Sequence, residues 1–116
     1  MTIRESNVEQ YLVRKMKEAG GLCYKFVSPG CDGVPDRICI YRGQVIFVEL
    51  KRPGEVPRKL QRHRADELMK AGANVVCIDN KASVNILLKL LRKERIFSDV
   101  TRGTILSVSY THLRAH

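Results

Sequence analysis

The sequence predicts an α/β fold in which helices flank a central mixed sheet. Three observations carry this. Apolar residues recur at helical spacing in three segments, alternate with polar ones in others, and the two patterns succeed one another in the order α-β-β-β-α-β-α. The chain has 116 residues and 44% hydrophobic content, enough for one modest core and too little for two.

Residues 5–19 read as a helix, with Val8, Leu12, Met16 and Ala19 making one apolar stripe that Gly20-Gly21 terminates. Leu22 to Val27 alternates like a strand. The segment Ser28-Pro29-Gly30-Cys31-Asp32-Gly33 is rich in turn formers and reads as a loop. Asp36 to Tyr41 and Val45 to Leu50 are strands dense in β-branched and aromatic residues, with Arg42-Gly43 as the tight turn between them. A second loop runs from Arg52 to Pro57. Lys59 to Ala71 is expected to be helical, with Leu60, Ala65 and Leu68 inward, basic residues outward and Gly72 capping its end. Val75-Val76-Cys77-Ile78 suits the buried middle of a sheet. Val84 to Arg92 forms the last helix on Leu87, Leu88 and Leu91. Residues 1–97 are expected to make the domain. Residues 98–116 are expected to be a flexible or non-native tail, in which Ser107 to Tyr110 has the pattern of an edge strand.

Composition narrows the function. No apolar run approaches the roughly 20 residues that span a bilayer, and the N-terminus has no apolar stretch of the signal-peptide kind, so a cytoplasmic location is expected. Cys23, Cys31, Cys39 and Cys77 fall at no zinc-ligand spacing and read as reduced, mostly buried small hydrophobes. The net charge is +9 and the pI near 9.7. With clusters at Arg58-Lys59, Arg62-His63-Arg64 and Arg92-Lys93, this balance points to a polyanion such as nucleic acid rather than to a membrane surface. Arg58, Lys59, Arg62 and Arg64 are the candidate phosphate contacts, although a solvated helix face suits them too.

The chemistry concentrates in two segments, Gly33-Val34-Pro35-Asp36 and Val48-Glu49-Leu50-Lys51. If Arg42-Gly43 is a two-residue turn, Tyr41 faces Gln44, Ile38 faces Phe47, and Asp36 falls opposite Glu49. Opposed side chains have Cβ atoms about 4.5–5.5 Å apart. Two carboxylates so placed require a shared proton or a cation, and such clusters suit hard cations with oxygen ligands. Lys51 lies two residues past Glu49, on the same face. Charges ending an otherwise apolar strand are costly unless used. Glu9 and Glu5 project on or beside the apolar stripe of the first helix, yet Ser6-x-x-Glu9 and Thr2-x-x-Glu5 also match capping boxes, so each glutamate has two readings. Gln61 opens the second helix, where it can return toward Lys51 or simply face solvent.

Taken in order, a Glu in the first helix, Gly33-Val34-Pro35-Asp36-Arg37, Phe47-Val48-Glu49-Leu50-Lys51-Arg52-Pro53-Gly54 and Gln61 resemble the PD-(D/E)xK nuclease superfamily. Within it they resemble the VRR-Nuc family, the virus-type replication and repair nucleases, whose stand-alone members occur in phages and prophages. The resemblance covers roughly residues 3–92 and implies a restriction-endonuclease-like core and a Mg2+- or Mn2+-dependent endonuclease. It implies that Asp36, Glu49 and the Leu50 backbone carbonyl ligate the metal. It further implies that Lys51 positions or activates the attacking water, and that Glu9, with Glu5 as rival, holds a further water or a second metal. Gln61 would orient the lysine or the phosphate. A structure-selective DNA endonuclease cutting four-way (Holliday) junctions as a C2 homodimer is the expectation. A less selective flap or single-strand nuclease, or a basic DNA-binding module without catalysis, are the alternatives.

Overall fold

The computed structural model describes residues 5–93. Expectations for the Glu5 side chain, for the capping boxes at Thr2 and Ser6, and for the tail, its Ser107 to Tyr110 segment included, lie outside the described residues. The elements are α1 (Glu5–Glu18), β1 (Leu22–Lys25), β2 (Arg37–Tyr41), β3 (Gln44–Leu50), α2 (Lys59–Lys70), β4 (Asn74–Ile78) and α3 (Lys81–Arg92). They form one four-stranded sheet in the order β1-β2-β3-β4. The first two pairings are antiparallel and β3–β4 is parallel, with α2 as the crossover.

The β2–β3 register is the one the turn dictates. Tyr41 pairs with Gln44, Ile38 with Phe47 and Arg37 with Val48. Arg42 and Gly43 both adopt positive φ, 47° and 80°, as a type I′ turn needs. The Arg42 guanidinium then lies over the Tyr41 ring, 5.2 Å from its centroid.

Alternation along the strands separates two faces. Cys39, Tyr41, Ile46, Val48, Leu50, Val76 and Ile78 join Val8, Leu12 and Met16 of α1 and Val84, Leu87, Leu88 and Leu91 of α3 in the core. The two helices are tied by the Tyr11 hydroxyl, which donates to the Asn85 side chain at 2.8 Å. On the other face α2 packs against β4 with Ala65 buried. That face is only partly covered, and Leu22, Tyr24 and Val45 on it stay exposed.

Three details differ from expectation. Leu60 is 44% exposed rather than inward, because it lies over Gly33 beside the loop instead of over the sheet. The last helix begins three residues before Val84, at Lys81, because the Asn80 side chain accepts the Ser83 N–H and caps it. β1 stops at Lys25, although Phe26 N–H still donates to the Asp36 carbonyl at 2.9 Å.

Gly33 sets the approach to β2. Its φ is +88°, and a Cβ there would lie 2.8 Å from Leu60 Cγ and 3.1 Å from the Leu60 carbonyl oxygen. Gly33→Ala is therefore expected to destabilise the fold by about 2 kcal/mol, measured as a lowered urea midpoint with an unchanged m-value.

Candidate active site

Asp36 immediately precedes β2, and the register carries it one rung past Arg37–Val48, opposite Glu49. Pro35, itself buried, fixes the backbone at that entry. The Asp36 carboxylate reaches across the hairpin and accepts the Leu50 N–H at 2.9 Å. Burial raises the Asp36 carboxyl above the ordinary carboxylate range. The Leu50 N–H opposes this shift, the Glu9 charge adds to it, and the positive charges of Lys51 and Arg37 oppose it.

Glu49 is 2% exposed at the end of β3. Lys51 follows on the same face, also buried, with Nζ 3.6 Å from Glu49 Oε2. The lysine is held in place because its backbone N–H donates to the Ile78 carbonyl of β4. Apolar neighbours on β3 and β4 thus surround an acid, a base and a second acid at one end of the hairpin. Desolvated charges of this kind are retained where they are used.

Glu9 stands half-buried on α1. Its Oε2 accepts Arg37 Nε at 2.7 Å, and the Arg37 Nη1 also reaches the Cys23 carbonyl at 3.5 Å. Glu9 is close enough for its charge to act on Asp36, so an acid of α1 lies near the entry to β2. Arg37, next to Asp36 in the Gly33-Val34-Pro35-Asp36-Arg37 motif, thus pairs with a residue 28 positions away, a partner that no local pattern announces.

Gln61 sits in the first turn of α2, where its side-chain oxygen accepts the Arg58 N–H at 2.8 Å. This contact stabilises the helix start. Arg58, Lys59 and Arg62 are exposed on α2. Arg64 is engaged, donating from Nε to the Asp32 carbonyl at 2.8 Å and from Nη1 to Glu67 at 2.9 Å. It fastens the loop before Gly33 to α2. A further acid, Asp79, was missed. It is 2% exposed just after β4 and accepts the Gly54 N–H at 3.2 Å, fixing the turn that follows Lys51.

Among the described residues no three His, Cys, Asp or Glu side chains are preassembled as a metal cage. The donor set is nevertheless of the right kind for a hard divalent cation: carboxylate oxygens of Asp36 and Glu49, one desolvated and one almost wholly buried, with the Leu50 backbone next to Glu49 on β3.

No family model matches the sequence. A protein of Acyrthosiphon pisum secondary endosymbiont phage 1, named "Putative nuclease p44", is 43% identical over 86 residues, which span 73% of this chain and 92% of the phage protein. A solved structure of a VRR_NUC domain superposes with a TM-score of 0.69 at 31% identity, covering 73% of this chain and 94% of the other. The chain belongs to the VRR-Nuc family. Its four-stranded sheet and three helices are the VRR-Nuc core. Asp36, Glu49 and Lys51 occupy the open end of the VRR-Nuc hairpin, away from the turn. No helix among the described residues is long and apolar enough to cross a membrane.

Proposed function

We propose that this VRR-Nuc chain is a divalent-metal-dependent, structure-selective DNA endonuclease acting on four-way junctions in phage DNA replication or repair. The observation that carries the reading is the meeting of Asp36, Glu49 and Lys51 at one hairpin end, with Leu50 N–H clamping Asp36 and Glu49 facing Lys51. Asp36, Glu49 and the Leu50 carbonyl are the ligands this reading assigns to Mg2+ or Mn2+. A bound divalent cation supplies Lewis acidity to the scissile phosphate and makes hydroxide accessible near neutral pH. The chain's own groups do the remainder. Lys51 places a positive charge where a phosphorane gathers negative charge, and it orients the attacking water. Glu9, held by Arg37, orients a second water or ion beside Asp36. Glu5 is the alternative to Glu9, and Gln61 would need to leave its helix-start contact to reach the phosphate.

The nucleic acid has two candidate tracks. One is the exposed face of α2, through Arg58, Lys59 and Arg62. The other is a groove of about 470 Å³ between α1 and the β1–β2 edge, lined by Glu9, Val13, Arg14, Lys17, Lys25 and Arg37. The groove adjoins the site through the Glu9–Arg37 pair, so the scissile strand is assigned to it and the flanking duplex to α2. Reversing Lys17 and Lys25 to Glu is expected to weaken junction binding about tenfold in EDTA and to lower the salt slope by about one per lost phosphate contact. The double reversal of Arg58 and Arg62 should weaken duplex and junction binding alike.

Symmetric nicking of a junction needs two sites and hence a C2 pair of chains. The uncovered sheet face bearing Leu22, Tyr24 and Val45 is the surface assigned to that pairing.

The deciding experiment incubates the protein with end-labelled junction, flap and linear duplex in Mg2+, in Mn2+ and in EDTA, with sedimentation of the same preparation. Paired nicks on the junction, absent in EDTA and made by a dimer, are expected. Equal cutting of linear duplex would remove the junction preference. Binding without cutting in either metal would favour a DNA-binding module.

A further inference from the structure

The mechanism leaves two thiols unused beneath α1. Cys23 of β1 and Cys39 of β2 are direct cross-strand partners. The neighbouring ladder shows which kind of partners they are. Phe26 N–H donates to the Asp36 carbonyl, which marks that rung as hydrogen-bonded. Antiparallel rungs alternate, and Cys23–Cys39 is three rungs further along, so it is a non-hydrogen-bonded rung. In such rungs the Cα atoms are about 4.5 Å apart, within the roughly 4.4–6.8 Å that a disulfide bridges. Each thiol is close enough to act on the titration of the other.

We propose that Cys23 and Cys39 are a modification site, at which a small disulfide of the glutathione class joins them in a reversible cross-strand disulfide that slows cutting. The second clause rests on the nuclease reading above. Accessibility fixes the order of events. Cys23 is half-buried on the outermost strand, whereas Cys39 is fully buried. The Cys39 thiol also holds Cys23 below the usual thiol range, while Cys39 itself is pushed up by the same contact and by burial. The Cys23 thiolate attacks one sulfur of glutathione disulfide. That S–S bond breaks, a Cys23–glutathione bond forms, and one glutathione leaves and takes a proton. Cys39 then loses its proton and attacks the Cys23 sulfur, expelling the second glutathione. Two protein thiols are oxidised and one glutathione disulfide is reduced to two glutathiones.

The cross-link reaches the active site through the backbone. The Cys23 carbonyl accepts Arg37 Nη1, and Arg37 lies two residues before Cys39 while holding Glu9. A disulfide prefers a Cα separation of roughly 5.5–6 Å, wider than the about 4.5 Å of this rung, so closing it shifts the anchor of the Arg37–Glu9 pair beside Asp36. Cys77 of β4 stands opposite Glu49 in the β3–β4 register, and Cys31 lies in the loop before Gly33.

The test uses the full chain in a glutathione redox buffer, quenched by alkylation and followed by peptide mapping. A peptide linked through Cys23 and Cys39 is expected, with two of the four thiols protected from alkylation. Junction cutting in Mn2+ should fall several-fold and recover with dithiothreitol. Cys23→Ser should be insensitive to the buffer, and Cys39→Ser should retain a glutathione adduct on Cys23. Absence of the linked peptide overturns the proposal. Complete cross-linking with unchanged cutting overturns the regulatory part. A reduced protein that does not cut counts against the nuclease reading, while the mapped peptide still decides the oxidation.

Discussion

Asp36→Asn and Glu49→Gln are each expected to reduce metal-dependent cutting about a thousandfold while leaving the fold intact. Both substitutions keep size and remove the charge that a cation needs. They differ in the cation-free protein. Asp36 has a raised pKa because it is buried, so the native state binds its proton more tightly than the unfolded chain does. The resulting stability is fully present below the unfolded value near 3.8 and is lost as pH rises through the raised native value. At neutral pH, without metal, the ionised carboxylate therefore costs stability. Asp36→Asn removes that cost and still offers an oxygen to the Leu50 N–H, so it should melt higher than the wild type at pH 7. The difference should shrink as pH is lowered below the ordinary carboxylate range. Mn2+ should raise the melting temperature of the wild type and not that of the variant. Calorimetry from pH 3 to 8, with and without metal, checks all three statements. A variant that melts lower than wild type at pH 7 would sink this account of Asp36.

Lys51→Met should act in the opposite sense on stability. It keeps the apolar stem but removes the ammonium that lies 3.6 Å from Glu49, itself 2% exposed. Removing one partner of a buried pair is expensive, here about 3 kcal/mol. Cutting should fall about a hundredfold or more, since a charge aimed at the transition state is lost. Metal-induced stabilisation should persist, because the oxygen ligands remain. Urea denaturation alongside single-turnover kinetics separates the effects. A Lys51→Met protein with normal turnover would remove the lysine from the chemistry.

The element order and the hairpin register were legible because they depend on local rules. Period-two alternation and a two-residue turn fix which side chains face one another. Leu50 N–H on Asp36 extends that reading by one contact. What could not be read depends on distant partners. Nothing near Arg37 or Glu9 in the chain announces their 2.7 Å pairing. Arg64 looked like a phosphate ligand because its neighbours are basic, yet the fold uses it to hold the Asp32 carbonyl. Leu60 fits an inward stripe by spacing, and its exposure follows from the loop it covers. The start of the last helix was readable in principle, since Asn80 followed by Ser83 is a cap signal; the leucines further along drew the boundary inward instead.

The Arg42-Gly43 turn has a consequence for how this family can vary. The turn lies at the far end of the hairpin from Asp36, yet it sets the parity of every rung between them. Inserting a single residue there would rotate one strand's pattern by a face, sending Asp36 and Glu49 to opposite sides with both carboxylates still present in the sequence. Insertions that restore the parity would leave the pair aligned. Turn length thus decides whether the two carboxylates meet, although the turn carries neither of them.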